Sequence, residues 1–324
     1  VALTLTEINS YTVPFIVPRT SDTIFKNSPV FTRLQTKQRQ RFTGGTQIQR
    51  PIIVGELNGD FVNRGEAMNI DFVTTDTALV NNMKLCYVTI ALYGYDSMLN
   101  DGPEAIFSQV ETKFLNASMK MAKLMGTNMY LDGTSTSGRT KYLNGFSEWI
   151  DDGNLYPSVG GINRADIVPV GTVGGLNAYT ATMTSFQLQT VNSAYGQAWF
   201  GADHPDLIPS TQNGWNFIWN ALQPSQRYPD PNGDMATTGF QSFRFNAADL
   251  VVDKYMPTGT SGVMFLLNTD YIEWYFSTNP KFQFGFTGFK EQVNSIDVAG
   301  EFLCGSNIVC PNPRTSAKIL STLF

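Results

Sequence analysis

Between residues 45 and 95 the apolar positions are short β-branched runs broken by polar turns. "PIIV" and "LCYVTIALY" stand at the two ends, and Asn58-Gly59-Asp60 and Arg64-Gly65 mark turns between them. This pattern predicts a long extended hairpin with a polar tip. Such a hairpin has little to bury by itself and needs a surface to lie on. After residue 100 the period changes. Phe107, Val110, Phe114, Ala117, Met121 and Leu124 recur at spacings of three and four. The stripe predicts one helix from Pro103 to about Tyr130, roughly 40 Å long at ~1.5 Å per residue. Asn100 or Asp101 is its N-cap candidate, Glu104 sits in its first turn, and Asp132-Gly133 ends it.

Further on, "TKYLNGFSEWIDDG" reads as a short helix with Leu143, Phe146, Trp149 and Ile150 on one face. A glycine-rich loop follows, then a helix in "TMTSFQLQTVNSAYGQAW" and a short buried strand in "PDLIP". "STQNGWNFIWNAL" is a helix capped by Ser210 or Thr211, and past residue 239 the chain is mainly strand. No repeat is apparent. Helices in the middle with strands on both sides predict an α+β arrangement.

One stretch imitates a catalytic motif. "GTSTSGRT", Gly133 to Thr140, misses the phosphate-binding pattern G-x-x-x-x-G-K-[ST] by one residue. A phosphate loop precedes a helix, where free N–H groups and the positive end of the dipole face the ligand. This stretch follows a helix, where the partial charge is negative, and carries Arg139 where the lysine belongs. It reads as a bend.

Composition narrows the function further. The 324 residues are 42% hydrophobic and only 15% charged, with polarity supplied by amides, hydroxyls and 28 glycines. The low charge suits contact with other protein. No apolar run is long enough to span a membrane, and the first twenty residues lack the basic-then-apolar order of a signal peptide. The net charge of −5 conceals an asymmetry: residues 1–50 carry a local +5, leaving −10 on the rest. A basic leader punctuated by Pro14, Pro18 and Pro29 reads as an arm, suited to nucleic acid or to acidic protein surface. The absence of aromatics in "RLQTKQRQR" favours protein contact. Cys86, Cys304 and Cys310 form no C-x-x-C and read as free thiols, with a Cys304–Cys310 bridge as the minority option.

Catalytic templates do not fit. The single histidine, His204, beside Pro205, reads as a turn residue and excludes any multi-histidine metal site. Asp151-Asp152, Glu148, Asp270 and Glu273 could be offered as a glycosidase pair, but none sits in a motif assigning acid or base roles. The sequon at Asn116 falls inside the long helix. The expectation is a non-enzyme with no cofactor and no metal. A basic arm, a self-unsupported hairpin and a very long helix together suggest a subunit completed by its neighbours.

The order of these elements resembles the major capsid proteins of tailed double-stranded-DNA phages, the Hong-Kong-97-type capsid family. "RFTGGTQIQRPI" leads into a long hairpin ending in "YVTIALYGYD". The long helix exits through "YLDGTSTSGRTKYLNGFSEWIDDG", similar to a spine helix followed by a D-G loop and an L-x-G-[LF] helix. "YPSVGGINRAD" resembles a Y-x-x-x-G-G-I-x-R turn, "HPDLIPSTQNGWNFIWNAL" a P-D-L-I strand and helix, and "GSNIVCPNPRTSAKI" a closing N-P-R strand. The resemblance spans nearly the whole chain.

It implies an N-terminal arm (1–48), an extended loop (49–90), a peripheral domain (91–152, returning at 286–324) and an inserted axial domain (153–285). It also implies self-assembly through pentamers and hexamers into an icosahedral shell around double-stranded DNA, bound without sequence specificity. Portal, scaffolding and cementing proteins would be the other partners. The positions expected at interfaces are Arg39, Arg41, Arg50, Phe61, Arg64, Glu66, Asp132, Arg139 and Arg164. Gly44, Gly45, Gly94 and Gly133 are candidate hinges. One departure stands out: no lysine lies between Lys37 and Lys84, so the loop cannot supply the amine that some members join to a neighbour's asparagine. A non-covalent shell is expected. The alternatives are a cellular nanocompartment shell of the same fold and, in a different class, a carbohydrate-active or carbohydrate-binding β-rich protein suggested by five Trp, thirteen Tyr and abundant Asn and Asp.

Overall fold

The computed structural model describes residues 28–55, 57–68, 70–71, 75–94, 103–134, 137–222, 242–259, 262–293 and 295–324. The first part of the arm, the cap candidates Asn100 and Asp101, and the side chain of Phe107 lie outside them.

The described part of the leader is not an open arm. Helix α1 (Pro29–Lys37) starts where Ser28 accepts the Phe31 N–H at 3.4 Å and Pro29 supplies a fixed φ. Its Val30, Phe31 and Leu34 are fully buried. Strand β1 (Arg39–Phe42) then pairs parallel with β12 (Glu273–Ser277). A hairpin forms from β2 (Ile48–Ile53) and β3 (Asp76–Asn81), in register from Ile48–Asn81 to Ile53–Asp76, so its second strand is "DTALVN" and not the expected "LCYVTIALY". Strand β4 (Lys84–Leu92) leaves it and pairs along nine residues with β15 (Val298–Val309), the centre of a six-stranded sheet.

The long helix, α2 (Pro103–Tyr130), has the expected bounds. Val110, Phe114, Ala117 and Met121 are buried as the stripe requires, but at the next turn Met125 is buried and Leu124 only half so. The early part of α2 packs with Ile90 of β4 and Phe289, the later part with the main core. The short helix shrinks to α3 (Phe146–Trp149). The glycine-rich stretch contains a small hairpin, β5 (Ser158–Val159) and β6 (Ile162–Asn163).

Beyond it come β7 (Tyr179–Thr182), α4 (Leu188–Gln197), the fully buried β8 (Leu207–Ser210) and α5 (Gln212–Leu222). Thr211 caps α5, its hydroxyl accepting the Gly214 N–H at 3.3 Å. β8 joins β9 (Ser242–Phe245) and β10 (Ala248–Val252) in one three-stranded sheet. β7 joins β11 (Val263–Leu266) and β16 (Ala317–Leu320) in another. A second core fills the space between these sheets and α4 and α5. β13 (Gln283–Phe286) and β14 (Lys290–Glu291) complete the large sheet against β15. The chain is α+β, with few helices and several sheets.

Candidate assembly interface

The exit of α2 is closed by polar groups that neutralise one another. Glu148, 4% exposed, accepts the Gly133 N–H at 3.1 Å and both reaches of the Asn144 amide at 2.9 and 3.0 Å. Burial pushes its carboxyl above the ordinary carboxylate range, against those donors. Asn307 of β15 bonds Asn144 twice, through backbone and side chain, and Trp149 Nε1 donates to the Asn144 and Ile308 carbonyls. A Cβ at Gly145 would stand 2.3 to 2.6 Å from three carbonyls of the helix end, so only glycine passes there.

Three further buried charged groups anchor the chain beyond α3. Lys318 Nζ sits 2.5 Å from Asp151 Oδ1, and the other carboxylate oxygen accepts the N–H groups of Gly153, Leu155 and Tyr156 at 3.0 to 3.2 Å. Arg164 is fully buried. Its guanidinium donates to the carbonyls of Tyr156 (3.0 Å), Asp151 (3.3 Å), Glu148 (2.7 Å), Trp149 (3.0 Å) and Leu176. The expectation that Arg164 serves an interface is therefore corrected. It ties five carbonyls of its own chain and has no exposed surface to offer a neighbour. Sequence reading missed the network around it, because Asn144 meets Asn307 and Asp151 meets Lys318 only through segments far apart in the chain.

Asp132 and Arg139 are brought together. Burial would raise the Asp132 carboxyl, but hydroxyls of Ser137 and Thr134 and the charge of Arg139 hold it below the usual range. Arg139 lies over the Tyr142 ring at 4.5 Å, and donates to the Asp132 carbonyl and to Asn128. Ser137 and Arg139 thus fold back onto Asp132 at a helix C-terminus. Gly133 is pinned too, since a Cβ there would meet the Leu143 carbonyl at 2.7 Å, and one at Gly94 would meet that of Ile296 at 2.4 Å. As hinges only Gly44 and Gly45 qualify, with φ of 145° and 108° and no atom closer than 3.9 Å to an added Cβ.

The remaining candidates face outward. Arg39 covers the Phe276 ring at 5.0 Å, and Arg41 is exposed at the end of β1. Arg50 joins the hairpin to the large sheet through Glu273 at 2.9 Å. Phe61 is 99% exposed. Arg64 and Glu66 flank it on the loop, where Glu66 accepts the Asn63 N–H. The same loop exposes Ile53, Leu57, Met68 and Ile70.

A second apolar surface was readable but not read. In "KLCYVTIAL" both alternating faces are apolar, and Leu85 and Tyr87 stand 53% and 63% exposed. Beside them a cleft of about 440 Å³ runs between β4 and α2, with Lys84, Lys120 and Lys141 among its lining. The basic leader meets acid within its own chain: Arg33 and Lys37 both reach Asp206, at 3.1 and 2.9 Å, and Lys37 also reaches Asp270.

No family model and no curated protein matches the sequence. Solved structures do match the fold. A chain of the cyanophage A-1(L) capsid asymmetric unit superposes with TM-score 0.64 at 11% identity, over 95% of this chain and 94% of that one. The holo-SrpI encapsulin complex of Synechococcus elongatus gives 0.54 at 8% identity, over 90% and 86%. The virus-like particle from Pyrococcus furiosus gives 0.52 at 10%, over 95% and 98%.

The fold is the Hong-Kong-97-type capsid fold. Phage capsid and encapsulin chains match it alike. Among the described residues, no group of metal ligands gathers and no helix is long and apolar enough to cross a membrane.

Proposed function

We propose that this chain is the major capsid protein of a tailed phage: a structural, non-enzymatic subunit that self-assembles into an icosahedral shell around double-stranded DNA. One observation carries the assembly reading. The extended loop holds Phe61, Ile70, Leu57 and Met68 almost wholly in water, an arrangement that gains free energy only when another surface covers it. A neighbouring subunit is the natural cover, and the cleft between β4 and α2 offers apolar and basic chemistry that suits the loop's Phe61, Asp60 and Glu66. Loops, spine helices and axial segments then meet around the symmetry axes, and many modest contacts close the shell. The division into an arm, an extended loop, and peripheral and axial domains is part of this proposal.

Assignment to a phage over a nanocompartment is supported by the basic leader, which nanocompartment shells tend to lack, and by the acidic remainder, which lets packaged DNA slide. Portal, scaffolding and cementing proteins are the expected partners, with assembly in the host cytoplasm and the virion as final location. Electron microscopy of the purified protein, with light scattering, tests the reading. Closed shells, or pentamers and hexamers that convert to them, support it. Nucleic acid inside native particles supports the phage, and enzyme cargo identifies a nanocompartment. A stable monomer that binds sugar overturns both.

A further inference from the structure

Cys86 and Cys304 sit opposite each other in the large sheet. In the antiparallel β4–β15 register they are direct Cα partners. Opposed residues project to the same face, with Cα atoms ~4.5 or ~5.5 Å apart depending on the type of pair. Both values fall within the ~4.4–6.8 Å that a disulfide spans. Burial along β4 agrees: Cys86, Val88 and Ile90 face inward, while Leu85, Tyr87 and Thr89 are exposed. Cys304 is fully buried in the main core and Cys86 packs against that core. Cys310 has no such partner. It lies one residue beyond β15, about 20 Å along the strand from Cys304 at ~3.3 Å per residue, so the Cys304–Cys310 bridge is excluded. All three thiols are free in this structure.

We propose that Cys86 and Cys304 are a latent intrasubunit disulfide: a staple, closed by oxidation, between the strand that leaves the extended loop and the central strand of the sheet. The inference stands on strand register and does not require the shell reading. Closure is a two-electron oxidation by a small diazene or disulfide reagent. The Cys86 thiolate adds to the oxidant, the Cys304 thiolate displaces the reduced reagent and forms the S–S bond, and the two thiol protons end on the reagent. Cys86 is the entry point because it lines the cleft between β4 and α2. Burial pushes its thiol up to about 11 and that of Cys304 higher still, so closure is slow at neutral pH and quickens as pH rises. The site therefore stays reduced while the chain folds in a reducing cell and closes on sustained exposure to oxidant. Once closed, it anchors the base of the extended loop.

The test treats the folded full-length chain with diamide at mildly alkaline pH, quenches with acid, unfolds the protein and alkylates it. The expected result is one alkylatable thiol instead of three, an intact mass lower by two hydrogens, and a Cys86–Cys304 peptide on mapping. C86S and C304A should each abolish the linkage and C310S should keep it. The closed form should melt several degrees above the reduced form. Half-buried Cys86 tolerates serine, so C86S keeps the test valid if C304A folds poorly. Three remaining thiols on protein shown to be folded, or a Cys86–Cys86 link between chains with Cys304 still free, overturns the proposal.

Discussion

The exit of the spine helix and the tip of the extended loop solve opposite problems. At the exit, Glu148, Asp151, Arg164 and Lys318 are buried charges, each held by partners from its own chain. At the tip, Phe61 and Ile70 are apolar groups in water, with little of the described residues over them. A buried ion without a partner costs several kcal/mol, so the exit must be complete before the fold is stable. An uncovered apolar side chain costs its owner little until a partner arrives. The first region is finished by folding, and in the proposed reading the second is left for association. Damage to each should therefore appear in a different experiment.

The largest expected effect is at the exit. Arg164→Ala strands five carbonyls and unbalances Asp151 and Glu148, and should cost about 3–5 kcal/mol of folding stability. Chemical denaturation measures it, and a loss below about 1 kcal/mol would show that the network is dispensable. Phe61→Glu should do the reverse. Its subunit should unfold within about 0.5 kcal/mol of the parent, while losing an interface anchor worth ~2 kcal/mol or more per contact, enough to cut association over tenfold. Light scattering and microscopy read it, and normal shells from this variant would sink the role given to the loop.

A smaller effect separates the leader from both regions. Burial would raise the Asp206 carboxyl, but bonds from Thr269 and Lys37 hold it below its ordinary range. Its contribution is therefore complete above the ordinary carboxylate range and is lost as pH falls through the depressed value. Asp206→Asn should cost about 1–2 kcal/mol at neutral pH and flatten the acid limb of the stability curve. An unchanged limb would mean that α1 is held by its apolar face alone. Glu148, raised by burial, acts with the opposite sign: ionising it in the fold costs stability, so its effect grows as pH rises through its ordinary value toward the raised one. The smallest effect is an expected absence. Shells boiled in denaturant and reductant should run as a single 36 kDa band, and a ladder would reveal a covalent bond that the lysine-free loop cannot make.

Much of the fold was legible because it is written in local periods. The spacing of Val110, Phe114, Ala117 and Met121 announces the spine helix, and "PDLIP" announces a strand whose four residues are all buried. The "GTSTSGRT" decoy was also legible, since the sign of a helix terminus follows from chain order alone. Helix α1 was missed although Ser28-Pro29 is a cap followed by a favoured first residue, because three prolines and a run of basic residues read as an extended arm. Arg164 was misplaced for a different reason. An arginine on a glycine turn has the composition of an exposed group, and only its five carbonyl partners bury it.

The sequence alone therefore determined the elements, their order and the need for a partner, because hydrophobic period, capping and charge balance are properties of neighbouring residues. The tertiary structure decided which polar groups are consumed within the subunit and which remain on offer. It set Lys318 against Asp151, Arg33 and Lys37 against Asp206, and Cys86 opposite Cys304. Those pairings join residues from distant parts of the chain. A one-dimensional pattern carries the burial of a side chain, but it does not name what the side chain is buried against.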